Sequence, residues 1–247
     1  MATIRNLKNA PLTEAIIDVR VELPADFVVE TLEAAKARLG SRYPVVQRRE
    51  RVEGHFRFQD GKPEQSLTRQ VVDGFVFITE DKLTVAQFTL DGLTVSRLKP
   101  YLSWDRLIEA FRELWNVYLA VAHPVRVTRL ATRYVNHVEL PLPLLDLSAV
   151  LRVPPQTPPE VEAFISGFFT RLKMKSNKWM ADAIVTQAVE PLGDRPVTPL
   201  LLDIDAFVGL KVAPTDPEIF AVLKRLDKFK NEIFFNTLTD EVIRRYE

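Results

Sequence analysis

Arg129, Arg133 and His137 recur at spacings of four along Val125–Leu140. Alternate residues of an extended strand face the same way, so these three share a face with Ala131 and Val135. Leu130, Thr132, Tyr134 and Asn136 point to the other side. Two planar guanidinium forks on one face suit an anionic or polar ligand. The earlier segment Thr13–Leu23 has the opposite character, with Glu14, Asp18, Arg20 and Glu22 on one face. The first expectation is therefore a binding surface, built from Glu14, Asp18, Arg129, Arg133, Tyr134, Asn136 and His137, for a protein partner or a small polar ligand. The plainer alternative is cross-strand ion pairing between Glu14 or Asp18 and those arginines on a wet sheet face.

Asp203 and Asp205 lie at i and i+2, so in a strand both carboxylates point the same way. Paired carboxylates hold divalent metals or divide acid and base roles, which would suit a metal-dependent hydrolase. A third ligand would have to come from Glu190 or Asp182; otherwise the pair is a charged strand face bonded to Lys211 or to the arginines. Basic residues also mix with aromatics in two places: Arg48, Arg49 and Arg51 with His55, Phe56 and Phe58, and Arg171, Lys173, Lys175 and Lys178 with Trp179. Such mixtures track phosphates and stack bases, and they also serve as charged edges that discourage sheet pairing. The nucleic-acid alternative takes Arg48, Arg49, Lys173 and Lys175 as contacts. The three histidines have no zinc spacing, and the eight glycines form neither a dinucleotide-binding fingerprint nor a P-loop. No cofactor is predicted, and the balance leans away from an enzyme.

Stepping along the chain gives the elements that would carry these residues. Strands are expected at Thr13–Leu23, Val45–Gln59, Arg69–Thr79, Leu83–Leu90, Leu93–Leu98, Val125–Leu140, Phe164–Lys175, Ala181–Val189 and Pro199–Val208. Asp91-Gly92 is a tight-turn pair that suits a hairpin. Helices are expected at Ala25–Leu39, from Ser103 to the approach of Pro124, briefly at Leu145–Leu151, and from about Asp216 to Phe234. The second of these is the strongest. Ser103 is its N-cap, and Leu107, Phe111, Leu114, Trp115 and Tyr118 form a broad apolar stripe. Thr239 caps a last short turn.

Val21-Glu22-Leu23-Pro24 and Val138-Glu139-Leu140-Pro141 share four residues, and similar element orders follow each. The expected fold class is therefore α+β, with duplicated β-α-β(3-4)-α units. The units, 1–123 and 124–247, would form one continuous antiparallel sheet with helices on one side. This is, as a topological analogy, the arrangement of TATA-binding-protein-like and helix-grip-like folds, within one compact pseudo-symmetric domain.

Four segments carry a family resemblance: Ala10-Pro11-Leu12-Thr13-Glu14-Ala15-Ile16, the strand Val127 to Asn136, Leu202-Asp203-Ile204-Asp205, and the closing helix to Arg245. Together they resemble a family of sporadically distributed, functionally uncharacterised bacterial proteins. The resemblance implies a whole-length fold and an association with mobile or defence-related genes, hence the nucleic-acid alternative of a defence or toxin–antitoxin component. It implies no activity.

Composition bounds the rest. Lys plus Arg and Asp plus Glu are 33 each, so no net field draws nucleic acid or anionic membrane. The chain has no cysteine, which excludes disulfides and thiolate chemistry. Neither a secretory signal pattern nor an apolar run long enough to span a bilayer is evident, so the expectation is a cytoplasmic monomer or homodimer away from membranes.

Overall fold

The structure is a computed structural model that describes residues 7–59, 62–141, 146–163, 165–189 and 197–247. Among the described residues, nine strands form one sheet: β1 (Leu12–Glu22), β2 (Val45–Gln59), β3 (Lys62–Ile78), β4 (Thr84–Thr89), β5 (Gly92–Leu98), β6 (Arg126–Pro141), β7 (Phe168–Ser176), β8 (Ala181–Val189) and β9 (Val197–Val212). Their spatial order is β2-β3-β4-β5-β1-β6-β9-β8-β7, and every neighbouring pair is antiparallel. The helices are α1 (Ala35–Leu39), α2 (Trp104–Ala122), α3 (Glu218–Thr237) and α4 (Asp240–Arg244).

The duplicated strand-and-helix arrangement does not describe this chain. One large sheet dominates, and helices are few. The expected helix over Ala25–Leu39 is mostly a 3-10 stretch, Val29–Ala34, that becomes α-helical only at Ala35. Val28, Val29 and Thr31 are β-branched and costly in a helix, and Val28 supplies no side-chain cap. Where a repeat would put its next helix there is only a 3-10 turn, Leu147–Ala149; Leu145 lies outside the described residues. The shared four-residue sequence marks different places as well. β1 ends at Glu22, before its proline, whereas β6 runs through Pro141. The analogy to TATA-binding-protein-like and helix-grip-like folds falls with the repeat.

α2 forms where its stripe requires. The backbone N–H of Arg106 donates to Ser103 Oγ at 3.3 Å, and Leu107, Phe111, Leu114, Trp115 and Tyr118 are buried. It packs against β1 and β5. α3 packs against β6 and β9 through Ile219, Leu223, Leu226 and Ile233. β6 therefore lies centrally, joined to β1 on one side and β9 on the other, with α3 over one of its faces. No helix among the described residues is long and apolar enough to cross a membrane.

Candidate functional site

The two faces of β6 carry different chemistry. On the face bearing Arg129 and Arg133, the antiparallel register sets Arg20 opposite Arg129, Asp18 opposite Ala131, and Asp205 opposite Arg133. The side chains then pair diagonally. Arg129 donates to Asp18 and to Asp205, each at 2.9 Å, and its guanidinium lies 4.6 Å from the Phe207 ring centroid. Arg133 grips Asp203 with two bonds, at 2.8 and 2.7 Å. Asp18 also accepts from Arg20 at 3.1 Å and from Thr94 at 2.7 Å. Burial outweighs the two arginines at Asp205 and raises its pKa. The hydrogen bonds that Arg133 donates to Asp203 raise its own pKa.

This lattice ties β1, β6 and β9 together and occupies both arginine forks internally. It also places Asp203 and Asp205 beside cations, which opposes a metal ion between them. Asp182 pairs in register with Phe207, two residues beyond Asp205, and Glu190 lies outside the described residues. Among the described residues, no group of three or more His, Asp or Glu side chains is placed to hold a metal. Glu14 acts on Arg133 only through a smaller charge interaction, and His137 is exposed opposite Leu201.

Tyr134 and Asn136 do not belong to that surface. They lie on the opposite face of β6, buried beneath α3, so the expected seven-residue site divides between two sides of the sheet. The two basic clusters also stand apart. Arg48 and Arg49 are on β2, and Lys173 and Lys175 on β7, at opposite ends of the strand order. Eight strand spacings separate them, about 38 Å. Arg49 is held 3.5 Å from Asp73, while Lys173 and Lys175 are exposed.

The buried face of β6 opens onto a cavity of about 370 Å³. Its apolar walls include Leu12, Trp104, Phe234 and Phe235. At its polar end, the hydroxyls of Tyr101 and Tyr134 meet at 2.6 Å, and the rings pack edge to face. Burial raises the pKa of both tyrosines, so both stay protonated at neutral pH. Asn136 fixes its amide by donating to the Leu202 carbonyl at 3.0 Å.

Lys230 enters the same space from α3 and is only 3% exposed. Its Nζ lies 3.2 Å from the Tyr134 ring centroid, 3.1 Å from Asp227 Oδ1, and 2.8 Å from Asn231 Oδ1. Asp227 also accepts from the Asn231 amide at 3.3 Å. Burial pulls the Lys230 pKa down to about 8, against the opposing pull of Asp227. Lys224 and Lys228 line the cavity from exposed positions on the same helix.

A larger groove of about 620 Å³ lies between β7, β8, α3 and the segment around Pro154, lined by Leu172, Met174, Val185, Phe229 and Ile233. Its acidic residue, Glu232, is held by Lys178, so it offers an apolar surface without a buried reactive group.

Tyr101, Asp227 and Lys230 were not among the residues expected from sequence. One signal was available: positions 219, 223, 226, 230 and 233 form a helical stripe, and Lys230 is the one charged residue on it. No family model matches the chain, and no curated protein matches it either.

Proposed function

We propose that the protein binds a small ligand with an apolar body and an anionic end in the cavity between β6 and α3. The observation that carries this reading is Lys230, a cationic side chain buried at the cavity wall among Tyr101, Tyr134 and Asn136. Concave, mostly apolar sites with a few converging polar groups are the usual form of small-molecule pockets, and about 370 Å³ falls in their size range. Lys224 and Lys228 supply positive charge for the anionic end. The small-polar-ligand expectation is kept, and its site moves to the other side of the sheet. The charged face is less suited to that role, because its arginines already satisfy Asp18, Asp203 and Asp205.

Trp104 on the cavity wall provides the test. With Trp115→Phe and Trp179→Phe, it becomes the sole tryptophan. Titration with 8-anilinonaphthalene-1-sulfonate, an apolar body carrying an anion, should quench it saturably at one-to-one stoichiometry. Ala10→Phe, which adds a ring to the cavity lining, should abolish the quenching while leaving the circular dichroism spectrum intact. Absent quenching, or quenching indifferent to Ala10→Phe, would overturn the reading.

A further inference from the structure

We propose that Lys230 forms an imine with the carbonyl carbon of a small carboxylate-bearing aldehyde or ketone held in this cavity; the inference rests on the cavity reading and adds chemistry to it. Three features of the geometry support it. The first is the amine itself. Nucleophilic lysines are activated by desolvation in apolar surroundings. Lys230 has that environment, and with a pKa of about 8 roughly one molecule in ten is neutral at pH 7, against fewer than about one in a thousand for an ordinary lysine.

The second feature is a proton acceptor in reach. Asp227 Oδ1 stands 3.1 Å from Nζ, within the range for a general base acting directly. The third is a donor for the carbonyl oxygen. Nζ lies 3.2 Å from the centroid of the Tyr134 ring, so the hydroxyl at the edge of that ring borders the same space, and Tyr101 holds that hydroxyl at 2.6 Å. Both phenols remain protonated, so one of their protons is available to the oxygen. The groups around Nζ are Asp227 and Asn231 from α3, Tyr134 from β6, and Tyr101 from the segment before α2.

The step balances without a further reactant. Asp227 takes a proton from the ammonium, and the freed lone pair attacks the carbonyl carbon. The C–N bond forms as the carbonyl π bond breaks, and the oxygen takes a proton from the tyrosine pair. The nitrogen, now a secondary ammonium, returns a proton to the tyrosinate and regains its lone pair, which expels the hydroxyl as water as Asp227 gives back the proton it took, leaving the protonated imine. Amine plus carbonyl gives imine plus water, and nothing is oxidised or reduced. The apolar walls select a hydrocarbon or aromatic body, and Lys224 and Lys228 select the carboxylate.

The probe is 4-carboxybenzaldehyde. The full chain is incubated with it and sodium cyanoborohydride, which reduces an imine to a stable secondary amine, and the adducts are located by peptide mass mapping. Lys230 should carry label at least tenfold faster than exposed lysines such as Lys224, with a rate that rises through a midpoint near pH 8. Ala10→Phe should slow it at least tenfold. Even labelling of surface lysines, or an unlabelled Lys230, would overturn the proposal. The selectivity is read in the wild-type chain, so a variant that fails to fold does not blunt the test. If the sulfonate probe binds while Lys230 stays unlabelled, the imine alone is refuted; if neither binds, the cavity reading fails too.

Discussion

Lys230 sits where α3 would otherwise turn an apolar side chain to the sheet, and its burial makes the stability of the fold depend on pH. In the unfolded chain its pKa returns to 10.5, while in the fold it is about 8. Between those values the unfolded state binds a proton that the folded state does not, so stability increases as pH rises through this window. The full shift corresponds to about 3 kcal/mol. Tyr101 and Tyr134 act in the opposite sense above pH 10, because their pKa values are raised in the fold. Urea midpoints should therefore climb from pH 8 toward pH 10 and then fall. Lys230→Met should remove the climb and keep the fall. A wild-type profile that is flat between pH 8 and 10 would show that Lys230 is not desolvated. The ion pairing of Asp18 with Arg129 was legible in the sequence, because strand alternation alone puts both on charged faces. The partnership of Lys230 with Tyr134 was not, because it joins residues 96 positions apart and depends on how α3 lies across β6.

At the scale of elements, the hairpin between β4 and β5 shows local sequence deciding local structure. Asp91-Gly92 marks the turn, and Gly92 takes φ +142°, a conformation that side-chain-bearing residues rarely adopt. Space adds to the constraint, since a Cβ there would meet the Val19 carbonyl oxygen on β1 at 1.9 Å. Gly92→Ala should thus cost about 2–4 kcal/mol, more than an ordinary turn substitution, because both backbone strain and a clash with a neighbouring strand apply. Chemical denaturation checks this, and a loss below about 1 kcal/mol would mean that β1 yields easily. Strong periodicity made β8 and α2 legible to within a residue or so, and β2 was legible as a polar-rich strand of the same bounds. The segment over residues 25–39 was misread because Leu32, Ala35 and Leu39 keep helical spacing even where the backbone is 3-10, and residues 62–68 were missed because they lack apolar alternation. A strand of that kind is specified by its partner: β3 runs the length of β2 because β2 is there to pair with it.

Across the whole molecule, β6 and β7 mark the extremes of support. β6 is hydrogen-bonded along both sides, to β1 and β9, with α3 over one face and the Arg129 and Arg133 ion pairs on the other. β7 pairs only with β8 among the described residues, and Phe169 and Leu172 on it are 68% and 55% exposed. Local opening costs little where few apolar contacts and half the ladder hold the backbone, and approaches the global unfolding free energy where both sides are paired and covered. Hydrogen exchange followed by mass spectrometry should place the amides of Leu130 to Tyr134 in the slowest class and those of Thr170 to Met174 in a class at least a hundredfold faster. The comparison is informative in both directions, because an isolated edge strand is also an open template for pairing. Arg171, Lys173 and Lys175 make self-pairing unfavourable, since two antiparallel copies of β7 would set like charges against one another. If the β7 amides instead proved as slow as those of β6, the edge would have to be covered in solution. The repulsion between like strands would then direct attention to a partner strand that carries acidic residues.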